Sequence, residues 1–301
     1  PKWAISKFSA PGETVLDPFC GSGTTLVEAK LLKRNSYGVD VDPLARYIAR
    51  VKTTPLDIEK LKVQSKWLVG KIHEGKRSDY EPPRLKNIAH WFKEYVQRDL
   101  AIIKKHILEI EESDIRDFFM ICFSSIVKNV SNADPQFLFS VQYSKKMREL
   151  DMKGRVVNTF EQFEGVLKTQ VPRIIAFSER CPKNVFSRIL DTDARKTGLQ
   201  DESIDLAVTS PPYINAMDYL RSHRLEMYWI DLLSDERDKI ELQRKFIGTE
   251  RVYADEYNQL RSFGHDKPDP ILFQIFKKDK KRSFITYKFF MDMKLNFEEV
   301  W

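Results

Sequence analysis

Glycine and acid spacing near the start of the chain defines its first chemically capable stretch. Val15-Leu16-Asp17-Pro18-Phe19-Cys20-Gly21-Ser22-Gly23-Thr24-Thr25 reads as a buried strand delivering a glycine turn, followed by a helix-like run from Leu26 to Leu32. Gly21 and Gly23 let the backbone turn tightly beside a ligand, and the helix that follows aims its first N–H groups at the same place. A phosphate-gripping loop would end in Gly-Lys-Ser/Thr, whereas this stretch ends Gly23-Thr24-Thr25 with no lysine, so a nucleoside triphosphate is disfavoured. A dinucleotide fingerprint would place glycine or alanine where Leu26 stands. The remaining candidate is a nucleoside-like cofactor without a pyrophosphate.

A carboxylate follows at a suitable distance. Ser36-Tyr37-Gly38-Val39-Asp40 reads as a second strand ending in an acid, about 20 residues after the glycine turn, where ribose hydroxyls are held in related α/β folds. Asp40 is the ribose candidate. Asp42 competes, but Asp42-Pro43 has the form of a helix cap with proline at the first helical position.

Far downstream lies Thr209-Ser210-Pro211-Pro212-Tyr213. Together with Asp-Pro-Phe-Cys-Gly-Ser-Gly-Thr at 17–24, it resembles the amino-methylating DNA methyltransferases that use S-adenosylmethionine. In that family Ser-Pro-Pro-Tyr goes mainly with methylation of the cytosine N4 amine, and Asp-Pro-Pro-Tyr mainly with adenine N6. The resemblance implies cofactor contacts at Asp17, Phe19, Cys20, Gly21, Gly23, Thr24 and Asp40. It adds Asp193 by the Asp193-Ala194 pairing after the third strand, with Asp191 as a turn residue or substitute. Ser210, Pro211, Pro212 and Tyr213 would form the catalytic turn.

The amine of cytosine is a poor nucleophile because its lone pair is delocalised into the ring. Prolines preset φ and bring no competing N–H donor, so a rigid turn can aim Ser210 Oγ and a main-chain carbonyl at the two amine hydrogens. Such bonds favour a pyramidal nitrogen whose lone pair faces the sulfonium methyl group. Tyr213 would stack on the target base after it leaves the duplex. The alternatives are adenine-N6 methylation of DNA, methylation of a base amine in RNA, and a non-catalytic specificity subunit.

These turns need strands and helices to position them. Strands are predicted at about 14–19, 36–40, 185–190 and 204–209, alternating with helices in a mostly parallel, Rossmann-like α/β sheet with ligands at the carboxyl ends of its strands. The division follows as 1–55, the first half of a methyltransferase domain, and 56–180, a helical insertion that is a candidate DNA-recognition or cap subdomain. Then come 181–233, the second half with the catalytic turn, 234–286, a basic irregular region, and 287–301, an amphipathic helix. In the insertion, Ile115 to Val130 is the most apolar helix and is expected at the centre, while Phe160 to Phe177 is expected to bend near Pro172. Two basic stretches read either as phosphate contacts or as solvated loops. They are Tyr143-Ser144-Lys145-Lys146-Met147-Arg148 and, between Phe276 and Phe284, Lys277 to Arg282.

Only four of the seven strands usual for the resembled family are found, so the sheet is expected to be completed by a longer chain or by a second polypeptide. The short His-Pro segment that precedes the first helix in that family is absent, so Pro1 is not expected to be the natural start.

The 301 residues, 42% hydrophobic, can bury a substantial core. Lys and Arg number 50 against 44 acids, a net charge of +6 with a pI near 9.0, consistent with a polyanionic partner such as DNA. Cys20, Cys122 and Cys181 have no paired spacing, which disfavours disulfides and zinc and fits a reducing cytoplasm. The five histidines lack ligand spacing, so no metal is expected, and no apolar run reaches the length of a membrane span.

Overall fold

A computed structural model of the chain describes residues 1–74, 82–137, 141–214 and 219–301. The Gly75-Lys76-Arg77-Ser78 loop of the sequence lies outside them. The elements in order are α1 (Lys2–Phe8), β1 (Thr14–Asp17), α2 (Thr24–Leu31), β2 (Asn35–Val39), α3 (Pro43–Thr53), α4 (Ile58–His73), α5 (Ile88–Trp91), α6 (Glu94–Leu108), α7 (Ser113–Val130), α8 (Lys145–Met152) and α9 (Thr159–Arg180). They continue with β3 (Ser187–Leu190), β4 (Leu206–Ala207), α10 (Tyr219–Trp229), α11 (Glu236–Lys245), α12 (Ala254–Tyr257), α13 (Pro268–Lys278) and α14 (Lys280–Val300).

The chain forms two units. One comprises Pro1–Arg46, Val185–Asp218 and Arg237–Trp301, and the other comprises Tyr47–Asn184 and Tyr219–Glu236. In the first unit the strands form one parallel sheet in the order β3-β2-β1-β4. Successive side chains of a strand point to opposite faces. Val15 accordingly packs with Ile5 of α1 and Ala29 of α2, while its neighbour Leu16 packs with Val39 and Ala194, beside Leu190 and Val300 of α14. Both faces are therefore covered by helix, the condition under which a parallel sheet is stable. Strand order reverses between β1 and β4, and ligands of open α/β sheets bind at such a switch point, beyond the carboxyl ends of the strands.

The stretch at 234–286, expected to be irregular, instead forms α11, α12, α13 and the start of α14. Pro268 stands in the first turn of α13, where its missing N–H costs nothing. Asp279 ends that helix and caps the next, accepting from Arg282 N at 2.9 Å, so the Lys277–Arg282 cluster is a corner between two helices rather than a loop.

The second unit is helical. Helix α7 packs against α6, α9 and α10, in the central place its apolar sequence predicts. Phe92, Phe123 and Trp229 are fully buried, with Trp229 of α10 meeting the two phenylalanines edge-on at centroid distances of 5.7 and 6.2 Å. Each such ring contributes on the order of 2 kcal/mol through burial. Helix α9 runs unbroken through Pro172.

Candidate active site at the β1 and β4 ends

Both motif turns leave the sheet at the same rim. β1 and β4 are hydrogen-bonded neighbours, with Val208 N donating to Leu16 O at 2.9 Å. One residue further along each strand, Thr209 Oγ1 donates to Asp17 Oδ1 at 2.8 Å. This bond joins the first residue of the glycine motif to the residue preceding Ser210. Asp17 is buried, and burial pushes its carboxyl pKa up, opposed by hydrogen bonds from the Thr25 and Thr209 hydroxyls and from Phe19 N. It is a strut between the two turns.

The glycine turn is built against β2. Cys20 N donates to Val39 O at 2.9 Å, Gly21 N to Asp40 Oδ2 at 2.9 Å, and Gly23 N to Cys20 O at 2.8 Å. Gly21 and Gly23 have φ of +49° and +78°, a region that side-chain-bearing residues rarely enter, and the space where a Gly21 side chain would project is open. Gly38 serves this arrangement from below, since a Cβ there would come 2.7 Å from Leu26 Cδ2 and 3.0 Å from Cys20 Cβ. Only a glycine in β2 lets the turn lie so close. Its position inside a strand was the signal available in the sequence.

The individual candidates fall in distinct places. Asp40 accepts from Gly21 N through one oxygen and from Asp42 N, at 2.8 Å, through the other. Burial pushes its pKa up to about 6, with Asp42 adding to the rise and those two N–H groups and Arg46 opposing it. Each carboxylate oxygen keeps a lone pair for a further donor. Asp42 caps α3, accepting from Leu44 N at 2.8 Å. Phe19 packs onto the Leu16–Val39–Ala194 cluster, Cys20 is buried under the turn with its thiol pushed up by burial, and Thr24 is exposed at the start of α2.

Asp193 is engaged elsewhere. Its carboxylate accepts from Arg195 N and Nε at 2.9 and 2.8 Å, and Arg195 continues to Asp292 of α14 at 2.7 Å. Asp191, directly beyond β3, is 86% exposed and pairs with Arg46 at 2.6 Å. Register places Leu190 beside Val39, so Asp191 follows β3 just as Asp40 follows β2. Arg46 also donates to Asp40 O at 2.8 Å and Val41 O at 3.1 Å, fastening the two strand ends together. Sequence reasoning gave no role to Thr25, Arg46, Thr209 or Arg195; the partners of Arg46 and Thr209 come near only once strands distant in the chain are paired.

The catalytic-turn candidates stand open at this rim. Ser210 and Pro211 are exposed, Pro212 is half-buried, and Tyr213 is 77% exposed. An exposed tyrosine beside a proline-rigidified turn offers a flat apolar surface and a set of hydrogen-bond acceptors. Among the described residues no group of three or more His, Cys, Asp or Glu is arranged to hold a metal ion, and no helix is long and apolar enough to cross a membrane.

The family model described as DNA methylase, of the N6/N4 methyltransferase group, matches residues 1–50. This match covers the glycine turn and Asp40, and makes the chain similar over that stretch to the amino-methylating DNA methyltransferases. Among curated proteins, the chain is 29% identical over 302 residues to the Type II methyltransferase M.MvaI of Kocuria varians, covering 94% of this chain and 65% of that protein. It is 26% identical to the Type II methyltransferase M.BsoBI of Geobacillus stearothermophilus, covering 84% of this chain and 54% of the relative. It is 23% identical to the Type II methyltransferase M.MjaII of Methanocaldococcus jannaschii, covering 82% and 62%. The chain thus spans less than two thirds of the length of these relatives. No solved structure matches it.

Proposed function

We propose that this chain carries the cofactor site and catalytic turn of a DNA methyltransferase that moves a methyl group from S-adenosylmethionine to the N4 amine of a flipped cytosine, within a restriction–modification system. The observation that carries the reading is the Thr209–Asp17 hydrogen bond between adjacent strands β1 and β4, which holds the glycine turn and the Ser-Pro-Pro-Tyr turn at one rim. The names of the relatives, all Type II methyltransferases, support the same class.

The residues fit such a cofactor. The open space above Gly21 admits a ligand close to the backbone, and Asp40 keeps acceptor capacity for ribose hydroxyls. Asp191, exposed beside Asp40, is better placed than Asp193 to meet the base of a nucleoside, because Arg195 already occupies the Asp193 carboxylate. When bound, the cofactor supplies an electrophilic methyl group on a sulfonium. Ser210 and the turn carbonyls would draw the amine hydrogens and orient the nitrogen lone pair, and Tyr213 would hold the base by stacking, worth roughly 1–3 kcal/mol per base. Holding the amine nitrogen in line with that methyl group would contribute much of the acceleration. β4 pairs only with β1 among the described residues, and its open edge is where further strands, from a longer chain or a partner, would add.

Mass spectrometry of DNA after incubation with methyl-labelled cofactor tests the reading. N4-methylcytosine is expected. N6-methyladenine would move the target to adenine, and methylated RNA with unmodified DNA would replace the substrate. Label in neither nucleic acid would overturn the proposal.

A further inference from the structure

Within the helical unit, three segments distant in sequence bring cations and rings into one row. The guanidinium of Arg224 lies 4.6 Å from the ring centroid of Trp91. Trp91 meets His90 at 4.6 Å, His90 meets Tyr143 edge-on at 5.2 Å, and the Arg148 guanidinium lies 5.6 Å from the Tyr143 ring. Cations thus stand at both ends of three rings. His90 and Arg148 are exposed, as are Lys145, Lys146 and Lys153 beside them, while Arg224 is half-buried with the Glu236 charge acting on it.

Buried groups hold this row in place. Asn132 donates from N to Trp91 O at 2.7 Å and from Nδ2 to His90 O at 3.0 Å, and it accepts from Arg155 Nη2 at 3.0 Å. Tyr143 donates to Asp151 at 2.8 Å, and Asp151 also takes Lys93 and Arg155, both at 2.8 Å. Burial opposes ionisation of Asp151, but the bonds from Arg155, Lys93 and Tyr143 outweigh it and hold its pKa at about 2. The acid therefore ties down Lys93 and Arg155 and neutralises one of their two charges, while Lys145, Lys146, Arg148 and Lys153 face solvent with Glu149 and Asp134 as nearby counter-charges.

We propose that this row, Arg224–Trp91–His90–Tyr143–Arg148 with Lys145 and Lys146, is the surface by which the helical unit contacts the phosphate backbone of duplex DNA. Excess positive charge on a preorganised frame fits a polyanion, and alternating rings and guanidinium planes fit sugar and base edges between phosphates. The choice of DNA over another polyanion rests on the methyltransferase reading.

The test measures binding of a fluorescent duplex oligonucleotide by anisotropy across a salt series. Reversing Lys145→Glu, Lys146→Glu and Arg148→Glu together is expected to weaken binding at least about tenfold and to lower the salt slope by about 2–3, near 0.9 per phosphate lost. The single Arg148→Gln change should lower the slope by about 1. A control reversal of the exposed Lys66, Lys105 and Lys168 of the same unit should have a markedly smaller effect. Wild-type affinity and slope in the triple variant, an equal loss in the control, or equally tight row-dependent binding of poly-glutamate would each overturn the proposal. S-adenosylmethionine binding, followed by calorimetry, should be unchanged in the triple variant. A wild-type protein that binds duplex through the row yet methylates no nucleic acid would sink the methyltransferase reading alone.

Discussion

On the proposal that Asp40 holds the ribose, cofactor affinity becomes a function of pH. With its pKa pushed up to about 6 by burial, the carboxyl is about 90% ionised at pH 7 and about 10% ionised at pH 5. Ribose hydroxyls donate, so they need the ionised form, whose oxygens already take Gly21 N and Asp42 N and have one lone pair each to spare. The association constant for the nucleoside moiety should therefore fall about tenfold from pH 7 to pH 5. The probe is 5′-methylthioadenosine, which lacks the amino-acid group whose own titration would obscure the effect, and the assay is titration calorimetry at half-unit pH intervals. Asp40→Asn should bind weakly at pH 7 and lose the slope. The folding contribution runs the other way. Because the folded pKa of about 6 lies above the usual carboxylate value, the group's stabilisation is complete below pH ~4 and is lost as pH rises through ~6. Affinity that is level between pH 5 and 7, or a slope that survives in Asp40→Asn, would refute the placement of this acid on the ribose.

Tyr213→Ala should lower kcat/KM for methyl transfer to duplex DNA about 5- to 150-fold, the equivalent of roughly 1–3 kcal/mol of stacking. Cofactor affinity should hold, and activity within twofold of wild type would remove the tyrosine from the mechanism. Gly38→Ala forces a methyl group to within 2.7 Å of Leu26 Cδ2, and should cost about 1–3 kcal/mol in urea denaturation; an unchanged midpoint would contradict the packing described beneath the turn. Thr209→Val keeps the side-chain shape and deletes a donor to the buried Asp17. It should destabilise by about 1–2 kcal/mol, with Thr209→Ser restoring most of the loss, and equal stability of the Val and Ser variants would argue against the strut.

Much of the first unit was legible because its signals are local. Apolar runs before a glycine turn, an acid or Thr-Ser-Pro-Pro located β1, β2 and β4 to within two or three residues, and Asp42-Pro43 showed its capping role through residue type and order alone. The 234–286 stretch read as irregular because its charge masked the helical pattern, and the charge around Asp279 hid a cap. Asp193 is the harder case. Its Asp193-Ala194 pairing is a local pattern, but so is its engagement by Arg195 two residues on, which the pairing did not signal; only the further link from Arg195 to Asp292 needs α14. Arg46 likewise finds Asp191 only after β2 and β3 have paired. Trp229 carried no local sign that it would close the core around Phe92 and Phe123.

The pairing of β2 with β3 also governs how the chain can fold. These neighbouring strands, tied by Ser36 Oγ to Ser187 Oγ at 2.9 Å, are separated in sequence by the six helices from α4 to α9 as well as by α3. Loop-closure entropy rises only logarithmically with length, so the long excursion weighs little on equilibrium stability. Folding rate is more exposed, because non-local strand pairs must form before their contacts repay the ordering. Until β3 arrives, β2 presents a bare hydrogen-bonding edge, and a nascent chain paused inside the insertion is the species most open to self-association.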